Sequence, residues 1–383
     1  MNDVYLDYNA TAPLRPEALR AMSDVLAHAY GNPSSTHAFG AAARAALARA
    51  RKQVADALGV AADSIVFTSG ATEANNTVLR QAARTAPGRD VHLVSCATEH
   101  PSVLEELRAL AAEGCRVTIL PVERDGRLEP SRFEAALTPD TRLASLMWAN
   151  NETGVIQPIA ELARAAAARR VPFHSDGVQA LGKLPLALAA LPIDYASFSA
   201  HKLGGPKGVG ALYVRPGVEL MPLLRGGSQE KGRRPGTENV PGIVGFGAAC
   251  EAALAGLDAA HARHARLRER LWDGIRGALP DAVRNGARDH TLAHTLNVSF
   301  PGVSGEALVE ALDLEGIAVA TGAACHAGST EPSHVLSAMG LPRELGASAI
   351  RFSLGPGSDD AVIARVLEVL PRVVARVRQA RAA

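Results

Sequence analysis

Lys202 and His201 close the run DYASFSA, and Asp176 closes VPFHS with Gln179 three residues on. His100 follows VHLVS, Asn150 and Asn151 follow RLASLMWA, and SGATEANN follows SIVFT. Each run reads as a short buried strand, and in a parallel sheet ligands bind beyond the carboxyl ends of the strands. The polar residues are therefore expected around one crevice. They comprise an amine that can form a Schiff base, a carboxylate that can hold a ring nitrogen protonated, an imidazole that can stack, and two amides. Pyridoxal phosphate asks a protein for this set. SGATEAN at the start of a helix adds an anion site through its unpaired N–H groups and the helix dipole. Ser199 and His201, beside the lysine, supply further donors.

Singly, each residue has a plainer job: Lys202 as a surface lysine, Asp176 as the N-cap of a helix over GVQALG, His100 as a loop residue before a helix opened by Pro101. The combination decides for chemistry. A rival motif, GVQALGKL (177–184), fits G-x-x-x-x-G-K, but Leu184 stands where a Mg²⁺-binding Ser or Thr is needed, so Lys183 is read as a solvated side chain. No metal is expected. His261 and His264 lie at i, i+3 and His290 and His294 at i, i+4, without an H-E-x-x-H glutamate, and the first pair is read as solvated helix surface.

A second reactive group stands far along the chain. TGAACHAGSTEPSH (321–334) sets Cys325 among Gly, Ala, Ser and Thr, a poor setting for a structural thiol and a suitable one for a nucleophile. Cys96, Cys115 and Cys250 show no C-x-x-C spacing and are read as ordinary core or surface thiols.

The elements that must position these groups alternate: SIVFT with ATEANNTVLRQAAR, VHLVS with SVLEELRALAAEG, RLASLMWA with IAELARAAAARR. Such βαβ units imply an α/β fold with a mainly parallel sheet flanked by helices. The large domain is assigned to residues 15–255. A smaller α+β domain takes 1–14 and 256–383, with strands over HTLNVSF, IAVAT and AIRFSL around the cysteine stretch. RGGSQEKGRRPGTEN (225–239) is too long and turn-rich for a simple connector and reads as an ordered functional loop. With 383 residues and a formal net charge of +1, the chain has the length for two domains and no charge bias toward nucleic acid or anionic membranes. No leader pattern and no apolar run of membrane-spanning length is found, so a cytoplasmic location is expected.

The motifs YLDYNATAP, GNPSSTHAFG, FTSGATEANN, TEHPSV, NNETGVIQPI, HSDGVQALGKLP, SFSAHKLGGPKGVGALY, RRPGTEN, TGAACHAGSTEPSHVL and IRFSLG, in this order, resemble the NifS/IscS-like cysteine desulfurases, class V of the fold-type I pyridoxal-phosphate enzymes. The resemblance implies a homodimer that converts L-cysteine to L-alanine and passes the sulfur, as a persulfide on Cys325, to an acceptor in iron–sulfur assembly or another thiolation pathway. It implies that Lys202 bonds the cofactor, Asp176 pairs with its ring nitrogen, Gln179 bonds its ring hydroxyl and His100 stacks on it and moves protons. Ala71, Thr72, Ser199 and His201 would hold the phosphate, with Thr237 from the neighbouring subunit. Asn151 and Arg351 would grip the substrate carboxylate. His326 stands where the family more often has Ser or Thr. A selenocysteine lyase or a class V aminotransferase is the alternative within the branch, and a non-catalytic docking scaffold the alternative outside it.

Overall fold

The computed structural model describes residues 3–84, 91–322 and 332–382; Cys325 and His326 lie outside them. The first two thirds of the chain run β1 (Val4–Tyr5), α1 (Pro16–His28), α2 (Ala38–Leu58), β2 (Ile65–Thr68), α3 (Ala71–Arg84), β3 (His92–Cys96), α4 (Pro101–Ala112), β4 (Arg116–Leu120), α5 (Pro130–Ala136), β5 (Thr141–Ser145), α6 (Ile159–Ala168), β6 (Phe173–Asp176), β7 (Tyr195–Ser199), β8 (Gly210–Val214) and α7 (Val240–Ala255). There follow α8 (Leu257–Ala278), β9 (Val283–Asn285), β10 (Thr295–Ser299), α9 (Gly305–Asp313), β11 (Ile317–Ala318), α10 (His334–Ala338), α11 (Arg343–Gly346), β12 (Ala349–Ser353) and α12 (Asp360–Ala382).

Seven strands form one sheet in the order β2-β8-β7-β6-β5-β3-β4. All pairings are parallel except those of β8, which runs against both β2 and β7. Its strands IVFT, YASFS and GALYV are buried throughout, as a sheet covered on both faces requires. Alternate side chains supply two cores: Val66, Leu93, Leu143 and Leu212 pack with α3 and α4, while Phe67, Val94, Ala144 and Phe198 pack on the other face with α2, α6 and α7. β2 is an edge strand whose outward Phe67 N–H and Ile65 carbonyl meet the Glu230 carboxylate and the Arg51 guanidinium. Arg51 and Glu230 also pair with each other, so a buried ion pair stands where a further strand would hydrogen-bond.

A separate core gathers Val4 and Leu6 from the N-terminus with Leu296, Val298, Phe352 and the inner faces of α8, α9 and α12. It is built on the antiparallel sheet β12-β10-β9 and the parallel pair β1-β11. Two features differ from the sequence reading. β4 has no counterpart in the sequence reading, its burial being partial and irregular. GVQALG forms turns instead of a helix: a side chain at Gly177 would strike Phe198, Gly182 has φ +72°, and Pro185 follows.

Candidate active site

The carboxyl ends of β2, β3, β5, β6 and β7 open onto a cavity of about 520 Å³ whose wall includes Ala71, Thr72, His100, Asn151, Asp176, Gln179, Ser199, His201 and Lys202. The structure thus brings together nine of the expected residues. Arg351 and Thr237 are absent from that wall, and Cys325 falls outside the described residues.

Asp176 is the last residue of β6. One carboxylate oxygen accepts from the Val178 backbone N–H at 3.1 Å, and the other from Asn75 Nδ2 at 2.8 Å. Asn75 lies on α3 one turn past its start and also donates to Ser102 Oγ at 2.9 Å; that hydroxyl is 2.8 Å from His100 Nδ1. His100 thereby caps α4, accepting from the Ser102 N–H, and burial lowers its pKa, with Asp176 opposing and Lys202 and His334 assisting. His100 is therefore both the N-cap of α4 and part of the cavity wall.

Lys202 sits in a short 3₁₀ turn after β7, and its Nζ donates to the carbonyls of Asn9 (2.8 Å) and Ala10 (2.7 Å). Gln179 Nε2 donates to the same Asn9 carbonyl at 3.1 Å. His201 Nδ1 lies 3.2 Å from Thr11 Oγ1, and burial depresses its pKa to about 4. Asn9 was not singled out in the sequence, although its side chain bonds His294, Thr295 and the Asn151 carbonyl and its N–H bonds Ser353. Its position in YLDYNATAP was the only signal.

The two amides after β5 divide their work. Asn150 ties its own loop to the one after β3, donating to the Thr98 carbonyl and accepting from the N–H groups of Glu152 and Thr153. Asn151 faces the cavity, and its carbonyl accepts from Arg351 at 3.1 Å. Arg351 is only 1% exposed and pairs with Asp7 at 2.5 Å, while its Nε is buried without a partner among the described residues. Thr237 is exposed on a loop that Glu230 and Arg234 fasten to Arg51 and Glu73.

The residues present suit a phosphorylated ring. Gly70 lines the cavity at the start of α3, and the space a side chain there would fill is open, which leaves the backbone N–H groups of the helix end accessible to an anion. Gly210 packs directly beneath, its α-carbon so near Gly70 that a Cβ would come within 2.6 Å of the Gly70 α-carbon. Two sequence readings need correction. Lys183 is not a solvated side chain: its amine donates to Gln179 Oε1, and burial lowers its pKa well below the ordinary value. His264 is not solvated surface either, because its Nε2 bonds the Gly355 carbonyl and its ring lies 6.3 Å from that of His294.

The class-V aminotransferase family matches residues 4–366, which makes the chain a pyridoxal-phosphate enzyme. It is 47% identical to the cysteine desulfurase IscS of Anaeromyxobacter dehalogenans (strain 2CP-C), over 98% of this chain and 93% of that protein. A solved NifS-like protein superposes with a TM-score of 0.92 at 38% identity, covering 98% of this chain and all of the other. DndA from Streptomyces lividans superposes with a TM-score of 0.77 at 39% identity over 91% of this chain and 98% of that one. Within the class-V family the chain belongs to the cysteine desulfurases.

Proposed function

We propose that this enzyme converts L-cysteine to L-alanine, with the sulfur passing to Cys325 as a persulfide and from there to an acceptor protein of iron–sulfur assembly or another thiolation pathway. The observation that carries this reading is the convergence of the Lys202 amine, the Asp176 carboxylate and the α3 N-terminus on one cavity. Bound there, pyridoxal phosphate supplies an electron sink that acidifies the substrate Cα–H and loosens the bond from Cβ to sulfur.

The chain's own groups do the rest. Asp176, oriented by Asn75 and the Val178 N–H, is the partner of the ring nitrogen, and Gln179 that of the ring oxygen. Ala71, Thr72, Ser199 and His201 receive the phosphate, completed by Thr237 of the partner subunit. Lys202 takes the proton from Cα. His100, kept neutral by burial, accepts and returns protons beside it. Asn151 and Arg351 hold the substrate carboxylate, and the unpartnered Arg351 Nε supplies a donor for it.

Cys325 acts as thiolate: its sulfur bonds to the substrate sulfur, the bond from Cβ to sulfur breaks, and the electron pair stays on carbon, which is protonated to the methyl group of alanine. A homodimer is supported by the exposure of Thr237 and by the exposed apolar residues Leu19, Leu26, Tyr30 and Phe39 on and beside α1 and α2.

The test compares alanine and sulfide release from L-cysteine plus a reductant by the parent and by Cys325→Ser. The variant is expected to keep its yellow cofactor and lose sulfide release. Full sulfide release from the variant would remove Cys325 as the acceptor.

A further inference from the structure

Lys183 ends the G-x-x-x-x-G-K stretch that nucleotide chemistry did not claim, and its amine donates to Gln179 Oε1. On the other side of the amide, Gln179 Nε2 donates to the Asn9 carbonyl at 3.1 Å. A carbonyl only accepts, so the NH₂ end must face Asn9 and the oxygen must face Lys183. The second N–H of Gln179 has no acceptor among the described residues, and Gln179 forms part of the cofactor cavity wall. Lys183 itself lines a separate cleft of about 810 Å³ behind that wall, between the Gly182–Lys183 turn, the start of α8 and the segment after β12; Lys202 borders both spaces.

We propose that Lys183 is a positioning residue that fixes the orientation of the Gln179 amide, so that Gln179 presents an N–H donor, and not its oxygen, to the ring oxygen of the cofactor. The proposal rests on the role given to Gln179 above. Without Lys183 the buried amide oxygen loses its donor, and the amide, held then by the Asn9 carbonyl alone, is free to turn its remaining N–H away from the ring oxygen. The charged and titratable groups facing the Lys183 amine are Lys202, Arg351, His201 and His294. None is an acid, and the amine's hydrogen bond goes to the neutral amide.

The experiment follows the bound cofactor's visible absorption band against pH, without substrate, in the holoenzyme and in Lys183→Met, Gln179→Ala and the double variant. A donor to the ring oxygen favours its anionic form, so losing it raises the pH at which the band shifts. Lys183→Met and Gln179→Ala are each expected to raise that midpoint by about half to one pH unit, and the double variant by no more than either. Lys183→Arg, which keeps a donor, is expected to stay near the parent value. A shift in Gln179→Ala with none in Lys183→Met overturns the proposal, as do shifts that add in the double variant, since Lys183 would then act by its field alone. An unmoved midpoint in Gln179→Ala overturns the role of Gln179 and the proposal with it. Should Lys183→Met fail to fold, Lys183→Leu, which also lacks a donor, takes its place in the same cycle.

Discussion

Asp176 lines the cavity itself, whereas Arg351 stands outside its wall and meets it through the Asn151 carbonyl, and the two are held in different ways. Asp176 ends a strand of the large sheet, and one of its two donors is the N–H only two residues further on. Arg351 lies in the middle of β12 and pairs with Asp7, 344 residues away, and with the Asn151 carbonyl, 200 residues away. Asn9 belongs to the second kind, joining β10, β12 and the loop after β5 to Lys202. A wall made of strand ends forms with its sheet. The other wall exists only once the N-terminal segment has been laid between β11 and β12, which the β1-β11 pairing and the Asp7–Ser353 bridge accomplish.

This contrast can be broken most directly at Asp7. Replacing Asp7 with Ala leaves the guanidinium of Arg351 buried and without its counter-charge, and is expected to cost about 3 to 5 kcal/mol in urea unfolding. The KM for cysteine should rise with it, whereas the cofactor band, which depends on the strand-end wall, should keep its position. Loss of the band as well would show that the two walls do not fold as distinct units.

The strand-end wall can be probed through Glu99, whose carboxyl burial raises to a pKa of about 8, with the Met147 N–H accepted at 2.6 Å opposing the shift and Asp176 adding to it. A carboxyl that keeps its proton when folded and gives it up near 4.5 when unfolded lowers stability as pH rises between those values. Glu99→Gln retains an acceptor for Met147, and is expected to flatten the fall in melting temperature between about pH 5 and pH 8, an effect on the order of 3 to 4 kcal/mol. An unchanged slope would place the titration elsewhere.

The smallest expected effect is at Asn75. Asn75→Leu removes one hydrogen bond to Asp176 and one to Ser102, and should weaken cofactor retention about five- to tenfold, the equivalent of about 1 kcal/mol, as read by dialysis against apo-protein formation. The thermal stability of the N-terminal and β12 contacts should not follow it.

Much of the first wall was legible in the sequence because its residues directly follow buried apolar runs, and burial of a parallel sheet on both faces leaves the strand ends as the place where polar groups converge. Lys202, Asp176, Gln179 and His100 were all found this way. Asn75 was quoted without a role, since its partner sits on another strand. Lys183 was misread because, once the nucleotide motif failed at Leu184, a lone lysine is ordinarily solvated, and only its hydrogen bond to Gln179 Oε1 shows where its amine goes.

The sequence by itself determined the alternation of strands and helices, the placement of Lys202 and Asp176 at neighbouring strand ends, and the family motifs. Those are local: each depends on residue type and on neighbours within a few positions. Only the tertiary structure decided that Asn9 carries Lys202 and Gln179, that Arg351 pairs with Asp7, that β8 runs against its neighbours, and that Lys183 backs the cavity wall. Each of these joins segments distant in the chain, and the buried donors and acceptors that fix them have no partner until both segments are in place.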